Sequence, residues 1–532
     1  MNLSRINRHV GIVLLMLTIS CFYYSCKGPG SLRIWYIDSE KGNDNNSGTS
    51  IKTPWKTIDR VNTGTFHPGD RILFKANSRF EGHLWPKGRG HQDAPIVIDM
   101  YGEGNKPVID AAGFYNEALL LYNTECWEIN NLELVNKGKG NPPFRTGVRV
   151  RIDDFGIARH IYLKNLIITD VNGTPYKYAK GPDLINDDYQ VVGKLGFDRN
   201  SWNRGAGIGI DNMGDSIRSR YEDLLIEGCR LARTDRDGIA MFSSYMNYPG
   251  NWFPNKKVII RNNLLEDFGG DGILVMGCDS AVIEKNVLRY GRMRCPDYAA
   301  GIWPYASHNT IIQFNEVSHM HGVLDGMAYD SDGHCRNTIF QYNYSHDNDG
   351  GFLMVCGGSS NKGTIVRYNI SQNDKHRLVY ITGPVEGVEF YNNVIYLGEG
   401  LDEYSFWWPG GDKVPADPAV NIHFANNILY FKGKGKYNIS GRSTKNIVNN
   451  YFYGNHTGLP QIPGNYYNDP GLENPGTGGD GFGSLGGYRL RSGSPAIDTG
   501  LTFENLGNRD FAGNPVPLGN KPDIGAFEKQ NN

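Results

Sequence analysis

Ile283-Glu284-Lys285-Asn286, Ile312-Gln313-Phe314-Asn315 and Phe340-Gln341-Tyr342-Asn343 repeat one short pattern, an apolar residue with Asn three positions later. Outward from this stretch the pattern recurs at Trp127/Asn130, Tyr162/Asn165, Ile260/Asn263, Val366/Asn369, Phe390/Asn393, Phe424/Asn427 and Ile447/Asn450. From Asn263 onward the steps are 23, 29, 28, 26, 24, 34 and 23 residues. A period of roughly 25 residues built from short β-type runs marks a solenoid. Each rung carries three short strands joined by turns, and successive rungs stack at about 4.8 Å, the spacing of hydrogen-bonded strands. Stacking puts equivalent residues in columns. An Asn repeated in a turn column can bond the Asn above and below through its side-chain amide, so this column is read as structural.

A second column supports the same register. Gly238-Ile239, Gly272-Ile273, Gly301-Ile302, Gly326-Met327, Gly351-Phe352 and Arg377-Leu378 are read as the starts of equivalent strands in one sheet. The second member of each pair is apolar and points inward. Strand alternation then sends Trp303, Tyr305 and Asp330 outward.

The composition fits one long solenoid with caps. The chain has 532 residues, 39% hydrophobic, with 68 Gly suited to many tight corners. A formal net charge of −2 and the lack of a basic run argue against a nucleic-acid partner. At the N-terminus, Arg5 and Arg8 precede the apolar run Gly11 to Ser20, then Cys21 and Cys26. This resembles a bacterial lipoprotein signal occupying residues 1–26, with lipidation at Cys26 as the favoured junction and Cys21 as the alternative. That implies an exported cell-envelope lipoprotein, in the periplasm or at the cell surface, touching membrane only through its lipid anchor. A monomer is expected. The six cysteines beyond the signal form no C-x-x-C pair and are read as buried thiols. One disulfide, such as Cys278 with Cys295, is the alternative.

The stretch Trp35-Tyr36-Ile37-Asp38, Gly42-Asn43-Asp44, Pro54-Trp55-Lys56-Thr57-Ile58 and Pro68-Gly69-Asp70-Arg71-Ile72 resembles the opening region of right-handed parallel β-helix proteins of the pectin-lyase-like superfamily. There a strand, a capping helix (here about Trp55 to Asn62) and a Pro-Gly-Asp turn lead into the first rung. Ser494-Pro495-Ala496-Ile497-Asp498 and Pro522-Asp523-Ile524-Gly525-Ala526-Phe527-Glu528 resemble the closing segment of many secreted members. The resemblance implies an all-β, right-handed parallel β-helix in three parts. These are an N-terminal cap with first rungs over 31–115, β-helix repeats with aromatic insertions over 116–470, and a closing segment over 471–532. It also implies a secreted bacterial carbohydrate-active enzyme of glycoside hydrolase or polysaccharide lyase type.

Insertions interrupt the repeat at 174–204, 243–254, 290–298 and 397–419, carrying Tyr176, Tyr178, Trp202, Tyr245, Tyr248, Trp252, Tyr404, Trp407 and Trp408. Long loops on a rigid scaffold tend to carry function, and their aromatics can stack on sugar rings. The densest polar stretch is Leu324-Asp325-Gly326-Met327-Ala328-Tyr329-Asp330-Ser331-Asp332-Gly333-His334. Glycoside hydrolysis needs two carboxyl groups flanking the bond. Asp330 and Asp332, two apart on one strand, lie about 6.5–7 Å apart, near the low end of the inverting range. Asp325 and Asp349, on adjacent rungs, lie about 5 Å apart, near the retaining separation. Asp237 and Asp271 are read as turn residues. The candidate catalytic acids are therefore Asp330 with Asp332 or Asp325. Trp303, Tyr305, His334, Asp349, Arg377, Trp252 and Trp407 are candidate sugar contacts. The polygalacturonase pattern is incomplete, because an Asp-Asp followed by Gly-His-Gly is missing.

The favoured function is hydrolysis of a complex polysaccharide with no required cofactor. The alternative is a Ca²⁺-dependent lyase. In it Lys375-His376-Arg377 supply base and clamp, and Asp325, Asp330 and Asp332 hold the ion through hard oxygen ligands. A non-catalytic glycan-binding protein or adhesin is the third reading. His319, His321, His334 and His346 are placed near the same face as the acids, without a metal-binding spacing.

Overall fold

The computed structural model describes residues 32–176, 203–357, 361–382, 385–407, 422–439 and 445–530. Cys21 and Cys26, the insertion aromatics Tyr178, Trp202 and Trp408, and the side chain of Trp407 lie outside the described residues.

The chain coils through three stacks of parallel strands. The first stack belongs to a 15-stranded sheet that runs from Ile34–Ile37 through Arg71–Lys75 and Ile96–Tyr101 to Ile447–Val448. The second and third stacks join in one 23-stranded sheet because Ile428–Asn438 is long enough to pair in both. Apolar side chains from all three stacks fill one narrow core that extends from Ile37 to Phe452. The helix Ile58–Asn62 lies at the N-terminal end, where Thr57 caps it by accepting the Arg60 N–H at 3.2 Å. Trp55, Ile58, Val61 and Phe66 close the core there.

The Asn column occupies the turn between the first and second stacks. Each Nδ2 donates to the next Oδ1: Asn263 to Asn286 at 2.9 Å, Asn286 to Asn315 at 3.0 Å, Asn315 to Asn343 at 3.1 Å, and Asn343 to Asn369 at 3.0 Å. The ladder continues through Asn393, Asn427 and Asn450 to Asn465 at 2.9 Å per link. Asn130 and Asn165 are not part of it. Asn130 pairs with Lys164, which pairs with Glu227, so the ladder position in the early rungs falls at Leu132, Leu166 and Cys229. The Cys229 N–H donates to Asn263 Oδ1 at 2.9 Å and is the first group to feel the ladder. The apolar-x-x-Asn spacing in those two rungs is a coincidence of composition.

The glycine column marks the corner leading into the third stack. A Cβ at Gly238, Gly272 or Gly301 would lie 2.4, 2.3 or 2.7 Å from the side chains of Leu265, Leu288 or Val317. Beyond Gly301 the expected register slips. Ile302 pairs with Tyr329, not Met327, and Tyr329 pairs with Leu353, which pairs with Val379. The corner is therefore occupied by Ala328, Phe352 and Leu378, and Gly326 lies two residues too early. Gly326 is a glycine for a different reason. Its φ is +64°, and a Cβ there would meet the Gly322 carbonyl oxygen at 1.9 Å. A slip of two preserves strand parity, so Asp330 still points outward, beside Trp303.

The closing segment folds back over the outer face of the second stack. Leu485, Tyr488, Ile524 and Phe527 pack on Tyr344, Tyr368, Ile370 and Val394. His346 helps hold it. His346 lies 2.9 Å from Asp347 and 3.2 Å from Glu316, and Glu316 accepts the Gly481 N–H at 3.1 Å. Burial alone would lower the His346 pKa, but the bonds to Asp347 and Glu316 outweigh it and raise it to about 9. A raised histidine stabilises the fold fully below its unfolded pKa and loses that contribution as pH rises through the folded value. Stability worth up to about 3 kcal/mol should disappear between about pH 6.5 and 9. Melting curves across that window should show a decline in the native chain and a shallower one in His346→Gln; parallel declines would refute the assignment. His346 thus serves the second stack, not the face bearing Asp330.

The six described cysteines are free, and Cys278 and Cys295 do not form a disulfide. Five are buried, which agrees with the buried-thiol reading.

Candidate functional site

With the second stack covered by the closing segment, the outer face of the third stack holds the acids. One column there runs Trp303, Asp330, Met354, Tyr380, and the next runs Tyr305, Asp332, Cys356, Thr382. They meet in a cleft of 570 Å³ lined by Asp325, Asp330, Asp332, Cys356, Arg377 and Tyr380, with Tyr298 and His376 also on its wall.

Asp330 is the penultimate residue of the strand Met327–Ser331, at the cleft floor, and is only 3% exposed. Asp332, just past that strand, is half-buried and donates its backbone N–H to the Pro304 carbonyl at 3.3 Å. One carboxylate oxygen from each, together with the Cys356 sulfur, falls within 4.8 Å of the others.

Asp325 reaches the same cleft from the preceding loop. Its φ is +60°, and the following Gly326 donates to the Ala299 carbonyl at 2.9 Å. Arg377 fixes this loop by donating to the Val323 carbonyl at 3.3 Å, and its guanidinium lies 3.9 Å from the centre of the Tyr380 ring. Burial raises the Tyr380 pKa against the opposing pull of Arg377. Burial, then Asp330 and Asp332, push the Cys356 thiol far up, so it stays protonated. A protonated thiol is a poor partner for a hard cation that prefers oxygen ligands. With Cys356 in place of Asp325, this cluster is not the all-oxygen set that the Ca²⁺ reading requires.

Asp349 does not line the cleft. It accepts the Gly322 N–H at 3.0 Å and pairs with Lys375 at 3.0 Å and His321 at 3.1 Å, pinning the base of the loop that carries Asp325. The spacing that matched Asp325 with Asp349 is satisfied by backbone, while the Asp349 side chain turns toward this ion pair. Trp303 is 2% exposed and packs beside Asp330 in the neighbouring rung, outside the cleft lining. Its Nε1 donates to Asp271 at 2.9 Å, and Asp271 also accepts from Ala300 N at 2.9 Å and Arg236 at 2.8 Å. Asp271, read from the sequence as a turn residue, thus positions a residue packed beside Asp330. Tyr305 meets His334 edge-on at 5.8 Å beside the cleft, and Trp252 stacks on His308 at 4.3 Å; neither Tyr305, His334 nor Trp252 lines it. Trp407 pairs through its backbone with Tyr380. Tyr380, Met354, Cys356 and Tyr298 were missed. The first three were legible as column mates of Asp330 and Asp332 once the register was correct.

A family profile described as a right handed beta helix region matches residues 226–395. The chain is a right-handed β-helix. This β-helix is 27% identical over 606 aligned positions to a lacto-N-biosidase of Bifidobacterium longum subsp. longum, with 93% of this chain covered. It spans 36% of that relative's length. Among solved structures it resembles the native GH136 lacto-N-biosidase of Eubacterium ramulus at 26% identity and a TM-score of 0.58, over 76% of this chain and 68% of that one. The selenomethionine form of the same enzyme gives a TM-score of 0.59.

Proposed function

We propose that the chain is a retaining glycoside hydrolase acting on a complex glycan, with Asp332 and Asp330 as its reacting acids. The observation that carries this reading is the pair of carboxylates with oxygens within 4.8 Å in a walled cleft. Retaining glycosidases hold their two carboxyl groups about 5–5.5 Å apart. One attacks the anomeric carbon as the other protonates the departing oxygen; the second then activates the water that releases the sugar. Arg377 and Tyr380 supply hydrogen bonds at the cleft wall, and the buried Trp303 packs in the rung beside Asp330. The similarity to two enzymes named lacto-N-biosidase directs the substrate toward glycans that carry lacto-N-biose units.

The lyase reading has weaker support. Lys375 is held by Asp349 outside the cleft lining, and the acid cluster includes a protonated thiol.

Incubation with glycans bearing terminal lacto-N-biose should release a short sugar with a new reducing end. Proton spectra taken early should show the anomeric configuration of the substrate retained. Release of an unsaturated uronate from a uronate polymer, or inverted product, would overturn the proposal.

A further inference from the structure

A second cleft, of 560 Å³, opens toward the N-terminal end of the same outer face. Trp85, Tyr122, Glu117, Arg149, Arg151 and Arg204 line it. Arg149 stands in the column that leads through Gly209, Ala240, Leu274 and Trp303 to Asp330. Five steps separate the two residues, ~24 Å at ~4.8 Å per step. The intervening rungs present Ala240, Phe242, Leu274 and Met276, all buried. The two clefts are therefore distinct along one face.

Two features of this cleft exceed what folding requires. The first is exposed aromatic surface. Trp85 is 37% and Tyr122 is 40% exposed, with ring centres 6.5 Å apart and planes inclined at 74°. Tyr115 and Phe114 are exposed nearby. Aromatic rings placed to complete a core would be covered; Tyr122 stands open beside a polar cavity, and Trp85, partly exposed, carries Lys87 Nζ 2.7 Å from its ring centre and stacks with His83 at 6.0 Å. The second is a balanced set of donors and acceptors. Arg149 is buried between Asp211 and Glu117, the latter at 3.3 Å; Arg204 lies 3.4 Å from Asp211, and Arg151 lies 2.9 Å from Asp153. Each guanidinium has a carboxylate partner, so the cavity offers many N–H donors and carboxylate acceptors without the uncompensated charge that an anion would need. Burial raises the Glu117 pKa against the opposing pull of Arg149.

We infer that this cleft is a second carbohydrate-binding site, for a neutral pyranose chain, separate from the reacting acids. Trp85 and Tyr122 take the apolar ring faces. Arg151, Arg204 and Glu117 bond the hydroxyl groups, with Arg149 and Asp211 buried behind them. The site does not depend on the hydrolase reading, because its chemistry is binding alone.

Affinity electrophoresis tests it. The full chain is run through native gels containing desialylated mucin glycans, arabinogalactan, xylan or, as an acidic control, polygalacturonate. Slowed migration is expected in at least one neutral gel. Asp332→Asn should be slowed equally, since the reacting cleft is elsewhere. Trp85→Ala/Tyr122→Ala, which removes two partly exposed rings, should migrate as in a gel without glycan, and Arg151→Ala should recover at least half of the mobility. Equal slowing of Trp85→Ala/Tyr122→Ala and the native chain overturns the site. Slowing in polygalacturonate alone overturns the neutral ligand, and free migration of the native chain in every neutral gel overturns the proposal. Absence of hydrolysis by the native chain, with slowing kept, would count against the proposed reaction and leave this site standing.

Discussion

Asp332→Asn will lower kcat on a cleavable glycan by at least about 10²-fold while leaving the melting temperature nearly unchanged. A positioned acid–base group contributes about 10² to 10⁴ in rate. Asp332 is half-buried at the cleft edge, past the end of its strand. Asparagine keeps its shape and its oxygen toward the Gly333 N–H, which Asp332 accepts at 2.6 Å. The rate loss therefore reports chemistry. Asp330→Asn should lose rate comparably, but Asp330 is nearly enclosed, so its melting temperature must be read alongside. Asp325→Asn separates the two pairings. If it abolishes turnover and Asp330→Asn does not, the reacting pair is Asp325 with Asp332. If Asp332→Asn retains more than half of the native kcat, the reacting acids are not in this cleft.

The second large effect lies in the ladder. Asn343 is fully buried and makes four bonds through its side chain. It donates to the Ile312 carbonyl at 2.8 Å and Asn369 Oδ1 at 3.0 Å, and it accepts from Asn315 N at 3.0 Å and Asn315 Nδ2 at 3.1 Å. A buried polar group left without a partner costs about 1–3 kcal/mol. Asn315 Nδ2 keeps other acceptors and Asn369 Oδ1 keeps the Asn343 N–H, so the full sum does not apply. Asn343→Ala should then destabilise by about 2–4 kcal/mol, measured by denaturant unfolding. Leu166→Ala, at the same turn position below the ladder, should cost about 2–5 kcal/mol through lost packing alone. The two differ in kind: only Asn343→Ala should speed amide exchange at Asn315, whose N–H loses its acceptor. Unchanged exchange there would mean the ladder is not cooperative in the way its geometry implies.

The sequence by itself determined the coil. A column of Asn is visible without coordinates because each rung repeats the same local demand, a turn whose side chain must bond to its copies one rung away. The glycine corners at Gly238, Gly272 and Gly301 were visible for the same reason. Repetition fails as a guide where a rung departs from its neighbours. In the early rungs Leu132, Leu166 and Cys229 replace Asn, and two chance Asn residues mimicked the column. At the site, the loop before Met327 carries an extra pair of residues, and Gly326 mimicked a corner glycine. The error was two residues, an even number, so the outward face of Asp330 survived it.

Tertiary structure alone decided which acids share a cleft. Asp325, Asp330, Asp332 and Asp349 are equivalent in composition and close in spacing, but side-chain direction is set by partners on other rungs. Lys375 and His321 draw Asp349 away to the loop base, while Arg377 ties the loop bearing Asp325 over the floor formed by Asp330. The second cleft was invisible for a further reason. Trp85, Tyr122, Arg149 and Arg204 are scattered over some 120 residues of chain and meet only because rungs separated by long insertions stack at the strand spacing.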